Sequence, residues 1–117
     1  AFLDERATAA VSAGVAHAKI WTDPGIGFGK RPHHNLALIA HLDRLIALGF
    51  PLVLGVSRKR FIRSIDATAT EASDRIGGSL AAALAGVRMG AHAVRVHDVR
   101  ETVQALKLWS AVEEARL

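Results

Sequence analysis

The sequence predicts an α/β chain in which helices pack on a parallel sheet, and three observations carry that prediction. Short β-like runs at residues 18–22, 52–56 and 93–97 are each followed by a polar loop and then a helix-like stretch, the alternation expected of βα units. Half of the 117 residues are hydrophobic and 22% are charged, too apolar a balance for a disordered chain. Polar clusters follow each run, where the functional residues of parallel sheets collect.

The elements can be justified in order. Residues 3–13 are alanine-rich and helical in pattern, and Gly14 stops them as a C′ glycine. After the first strand, Asn35 is placed to cap a helix running to Leu48. Leu38, Leu42, Leu45 and Ile46 share one face of it and Gly49 ends it. After the second strand, Thr68 and Glu71 have capping-box spacing, which predicts a helix over 69–89 ended by Gly90. Its Gly77-Gly78 pair and many alanines imply close packing against a neighbour. After the third strand, Asp98 and Glu101 repeat the box spacing. The last helix then runs to about Ala115, with Val103, Leu106, Trp109 and Val112 as its apolar face.

Several function classes are excluded. With no cysteine there is neither a disulfide scaffold nor a thiolate metal site. No apolar run approaches the roughly 20 residues of a membrane span, and the start of the sequence lacks the basic-then-apolar pattern of a signal peptide. The expectation is one soluble, cytoplasmic domain over residues 1–117. Lysine and arginine number 15 against 11 acids, a net charge of +4, but the charge is spread out apart from Arg58-Lys59-Arg60 and Arg63. Aromatics make up only 5% and there is no tyrosine, so neither a focused basic patch nor a stacking platform predicts a nucleic-acid partner.

Three strand-end clusters remain. In the first, 23–30, Asp23 leaves a strand and meets a glycine-rich loop through Gly25, Gly27, Phe28 and Gly29. Asp23 suits a flat donor edge such as a 2-amino-pyrimidinone, or it ties down its own turn. No Gly-Lys-Ser/Thr follows, so the loop is not a P-loop. In the second, Ser57-Arg58-Lys59-Arg60, strand alternation puts Ser57 and Lys59 on one side and Arg58 and Arg60 on the other. The cluster is either a ligand site or a solvated basic turn. In the third, Arg95 and His97 face one way and make an anion clamp, while Val94, Val96 and Val99 face the packed helices. Asp98 reads as the cap of the next helix. His33-His34 reads as a solvated loop, with no third ligand at metal spacing. His17, His41 and His92 read as structural, Trp21 and Trp109 as core or interface, and Met89 as filler.

Asp-Pro-Gly-x-Gly-Phe-Gly-Lys, then Ser-Arg-Lys, then Arg-Val-His-Asp-Val, each at a strand end, form a specific combination. It resembles the C-terminal part of the dihydropteroate synthase family over nearly the whole chain, including Gly77-Gly78-Ser79-Leu80-Ala81 between the last two motifs. The resemblance implies a pterin-binding (β/α)8 TIM barrel, of which this chain would be the last three βα units preceded by one helix. It implies transfer of 6-hydroxymethyl-7,8-dihydropterin from its diphosphate to p-aminobenzoate with release of pyrophosphate, in folate biosynthesis. It assigns Asp23, Gly27, Phe28, Lys59 and Arg95 to the pterin, and Arg95 and His97 to the diphosphate. Phe28, Lys59 and Arg60 go to the aminobenzoate, Arg60 standing where many members carry a serine. Lys59, Arg95 and His97 would be the catalytic residues. Mg²⁺ is implied as cofactor, with ligands in the N-terminal part that this chain does not include, and a homodimer through the late helices.

The residue types suit that chemistry. The aminobenzoate nitrogen is a neutral nucleophile, and the barrier lies in parting a pterin methylene from diphosphate. Cations on the departing oxygens supply electrostatic catalysis, each contact being worth about 2–4 kcal/mol. Half a pocket and unpaired strand edges imply that the 117 residues alone are inactive. The competing readings are a methyltetrahydrofolate-dependent methyltransferase domain, in which the diphosphate clamp has no purpose, and a non-catalytic remnant that folds only with another chain.

Overall fold

A computed structural model describes residues 2–15, 21–27 and 32–116. Helix α1, Phe2–Ser12, forms where the alanine-rich stretch predicts it, and Gly14 follows with a φ of 102°. Of the first predicted strand, only Trp21 and Thr22 fall within the described residues. Thr22 forms a parallel bridge to Leu52: its N–H donates to the Pro51 carbonyl and its own carbonyl accepts the Val53 N–H, both at 2.8 Å.

Strand β1, Val53–Gly55, lies between Thr22 and β2, Ala93–Arg95, and pairs in parallel with β2 through Val53–Ala93, Leu54–Val94 and Gly55–Arg95. The central position explains the composition of 52–56, since a parallel strand covered on both faces is apolar throughout. Leu52, Leu54 and Val56 are fully buried and join Ile26, Ile39, Leu42, Phe61, Ile62 and Ala83 in one core. The parallel order of the βα units is as the sequence predicts, although the ladder is shorter than the β-like runs. The arrangement is mixed α/β, a parallel pair of strands bridged to Thr22 with helices packed against it.

The helices depart from expectation in instructive ways. The helix expected from Asn35 to Leu48 is two: α2, Pro32–Ala40, and α3, Leu42–Ile46, with the backbone leaving helical geometry at His41 (φ −115°, ψ 26°). Asn35 caps neither, because it lies inside α2, where it is buried and bonds a loop instead. His33 and His34 consequently sit on a helix rather than in a loop, exposed, with ring centroids 4.0 Å apart.

A short helix α4, Phe61–Ile65, follows β1 unannounced, driven by burial of Phe61 and Ile62. The helix expected from residue 69 begins later, as a 3₁₀ turn, Ala72–Arg75, leading into α5, Ile76–Arg88. Thr68 is not its cap: Asp66 accepts the Thr68 N–H and hydroxyl at 3.0 and 2.6 Å, a local turn that competes with helix. The box sits three residues on, where the Glu71 N–H donates to Asp74 Oδ2 at 3.2 Å. The close packing implied by the glycines is real at Gly78, where a Cβ would collide with Ile62, and at Gly86, where it would collide with Leu54. At Gly77 a Cβ would meet nothing.

Helix α6, Val99–Glu114, packs on α5. Its inner line runs through Thr102, Leu106 and Trp109, so Val103 and Val112 of the expected apolar face lie exposed, as does Val99. Asp98 makes no side-chain cap; its carboxylate is taken by Arg58. His92 has a structural bond, its Nδ1 accepting the Leu52 N–H at 3.1 Å with Trp21 edge-on to its ring. His17 lies outside the described residues. No helix among the described residues is long and apolar enough to cross a membrane.

Candidate active site

The parallel ladder carries the loops after Thr22, β1 and β2 to the same end of the sheet, and there the strand-end side chains meet. Arg95 Nη2 donates to Asp23 Oδ2 at 2.5 Å, joining residues 72 apart in sequence. The other Asp23 oxygen, Oδ1, accepts the Gly25 N–H at 2.8 Å. Asp23 therefore fixes its own turn and also holds Arg95.

Gly27 holds the loop open for Lys59. Its φ of 87° lies where a side chain is strained, and a Cβ there would sit 3.1 Å from Lys59 Cδ. Its N–H donates to Asn35 Oδ1 at 2.9 Å, so a side chain read from sequence as a helix cap instead anchors this loop. Only the burial of Asn35, which sequence does not display, marks that role. Lys59 crosses to the loop and donates from Nζ to the Ile26 carbonyl at 2.5 Å.

A hollow of about 230 Å³ is lined by Gly55, Ser57, Lys59, Arg95, Val96 and His97. Gly55 belongs there because a Cβ would come within 2.8 Å of Arg95 Nη2. Ser57 orients His97: its Oγ accepts the His97 N–H at 3.1 Å and lies 2.9 Å from Nδ1, leaving Nε2 as the ring nitrogen that Ser57 does not engage. Val96, between Arg95 and His97, also contributes to the lining. Ser57 and Lys59 share it as alternation predicts, although β1 has already ended and the backbone turns at Ser57-Arg58.

Arg58 points elsewhere. Its Nε and Nη2 reach Asp98 at 3.2 and 2.7 Å. Bonding to Arg58, aided by the charges of Arg58 and His97, holds the Asp98 carboxyl below the usual carboxylate range despite desolvation; the same pairing raises Arg58. Arg60 stands exposed at the start of α4, outside the hollow. Phe28 lies outside the described residues. Lys59 and Arg95 are the cations in the lining of the hollow, beside the His97 ring. A larger apolar groove of about 490 Å³ between α2, α4 and α5 has no strand-end residue and no cation in its lining.

A match to the family model for pterin-binding enzymes covers residues 1–97. The chain belongs to the pterin-binding enzyme family. It is 49% identical over 114 residues to a dihydropteroate synthase of Neisseria meningitidis, spanning 95% of this chain and 40% of the relative. The dihydropteroate synthase of Xanthomonas albilineans, solved with 4-aminobenzoic acid, superposes with a TM-score of 0.92 at 46% identity, over 96% of this chain and 43% of that one. The Thermus thermophilus enzyme, solved with 6HMPPP, gives 0.88 at 45% identity, over 96% and 43%. The chain thus spans about 40% of the length of the curated relatives it matches. Asp23 and Asp98 are each paired with an arginine, and no three histidine or acidic side chains among the described residues gather into a metal site. The described residues do not form a magnesium site.

Proposed function

We propose that this chain supplies the C-terminal βα units of a dihydropteroate synthase, with Asp23, Lys59, Arg95 and His97 as its working side chains. The observation that carries the reading is that Lys59, Arg95 and His97, from the last two strand-end motifs, line one hollow, while Arg95 pairs with Asp23 and Lys59 bonds the Ile26 carbonyl of the first motif.

Asp23 accepts hydrogen bonds from the amino-pyrimidinone edge of the pterin, since each of its oxygens keeps a lone pair beyond its present partner. The Arg95–Asp23 pair has side chains 59% and 38% exposed, and such pairs hold weakly. Arg95 can therefore turn to the diphosphate while Asp23 takes the pterin. In the reaction the aminobenzoate nitrogen attacks the methylene carbon on the pterin, a C–N bond forms, and the C–O bond to diphosphate breaks. The bonding pair leaves with pyrophosphate, and the amine proton passes to solvent. Arg95, His97 and Lys59 stabilise the charge that develops on the departing oxygens. Lys59 flanks the aminobenzoate. Magnesium would arrive with the diphosphate and be held by residues from the remainder of the family barrel.

The test joins this chain to the N-terminal portion of the Neisseria meningitidis relative and assays dihydropteroate formation. The hybrid is expected to be active, Asp23→Asn to abolish that activity, and the 117 residues alone to form no product. A folded hybrid without activity beside an active parent would overturn the assignment.

A further inference from the structure

Arg75 is a buried cation that the proposed chemistry does not use. It is 7% exposed, and no carboxylate lies within ion-pair distance of it among the described residues. Its guanidinium instead donates to three backbone carbonyls: Nη1 to Arg58 at 3.0 Å, Nε to Ala69 at 3.0 Å and Nη2 to Thr70 at 2.9 Å. Burying a charge against neutral acceptors alone is costly, and it persists where the fork geometry of arginine fixes something else.

What it fixes is the peptide that precedes Lys59. Arg58 is the one non-glycine residue with positive φ among those described, at 56°, a conformation disfavoured for a long side chain. Its peptide groups are gripped on both sides: its N–H donates to Ser79 Oγ at 2.7 Å and its carbonyl accepts from Arg75. Ser79 in turn donates to the Arg75 carbonyl at 2.6 Å, closing the ring of contacts. With Arg58 in this left-handed turn, Lys59 points into the hollow while the Arg58 side chain leaves toward Asp98.

We infer that Arg75, with Ser79, is a positioning residue: it enforces the left-handed turn at Arg58 and thereby aims Lys59 at the pterin and aminobenzoate. The value of that aim rests on the proposed synthase reading; the aim itself does not. A solely structural Arg75 would brace residues 69–70 and leave Lys59 unaffected.

The experiment measures acetylation of Lys59 by an N-hydroxysuccinimide ester in the 117-residue chain, by peptide mass spectrometry. Exposed Lys107 on α6 is the internal reference, and thermal melting is followed in parallel. In Arg75→Met and Ser79→Ala the Lys59:Lys107 ratio is expected to rise roughly threefold to tenfold, the bias one ordinary hydrogen bond exerts. Arg75→Lys, which keeps the charge but loses the fork, should fall between. If Arg75→Met does not fold, Ser79→Ala and Arg75→Lys decide the matter. An unchanged ratio in the folded variants, with only a lowered melting temperature, would overturn the proposal. An inactive hybrid synthase with the ratio still responding would instead remove the functional reading and leave the positioning intact.

Discussion

Arg58 meets Asp98 through two nitrogens, at 3.2 and 2.7 Å, with side chains 35% and 17% exposed, whereas Arg95 meets Asp23 through one, at 2.5 Å, with side chains 59% and 38% exposed. Both pairs stand at the same end of the sheet, and both join the loop after one strand to another. The difference lies in what else holds the arginine. Arg58 is fixed by its own backbone bonds to Ser79 and Arg75, so its guanidinium has one place to go. Arg95 projects from the end of β2 over a glycine, with open space beside it. The same pairing serves as a brace in one place and as an exchangeable contact in the other.

The largest expected effect separates the two. In the hybrid synthase, Arg95→Ala should lower kcat by roughly 10²–10³-fold, as removal of a charge-stabilising donor does, and leave the melting temperature nearly unchanged. Steady-state kinetics and calorimetry on the same preparation check both halves. If Arg95→Ala destabilised the fold as much as Asp98→Asn, the contrast would fail.

Asp98→Asn is next, with a clear loss of melting temperature. Because the folded-state pKa of Asp98 is depressed by Arg58, its stabilisation is present above the unfolded carboxylate pKa of about 3.9 and is lost as pH falls through the lower folded value. Asp66, held down by the Thr68 hydroxyl and N–H, adds in the same direction. Urea titrations between pH 7 and pH 2 should therefore show stability falling at the acid end, and Asp98→Asn should flatten that fall.

Gly55→Ala is expected to act more mildly. The new Cβ would press on the far end of the Arg95 side chain, which can move, so the fold should survive while pyrophosphate affinity drops roughly twofold to tenfold. Calorimetric titration measures it. The smallest effect is expected from Arg60→Ser. Arg60 is exposed and outside the hollow, so the KM for p-aminobenzoate should change less than about twofold, the scale of an ordinary surface substitution.

The order of the βα units and the meeting of Asp23, Lys59, Arg95 and His97 were legible in the sequence because both follow from local pattern plus one rule of parallel sheets. What escaped depends on partners distant in sequence. Asp98 has the composition of a helix cap, yet a charged partner 40 residues away takes its carboxylate. Asn35 looks like a cap and becomes a loop anchor because α2 begins earlier and buries it. Thr68 has capping-box spacing to Glu71, but Asp66 claims it first through a two-residue turn. Arg75 carries no local signal and Ser79 only its place in the Gly77-Gly78-Ser79-Leu80-Ala81 run, since what they hold is the backbone at Arg58, 17 and 21 residues away. Spacing alone puts Val103 and Val112 on the apolar face of α6, yet the inner line of the helix follows Thr102.

The most direct measurement follows the arginine side-chain Nε–H and histidine ring signals by NMR as inorganic pyrophosphate is added to the chain. Arg95 and His97 should shift together and saturate, with Arg58 and Arg75 unmoved. Shifts at Arg58 with Arg95 silent, or no response at either up to millimolar pyrophosphate, would contradict the account.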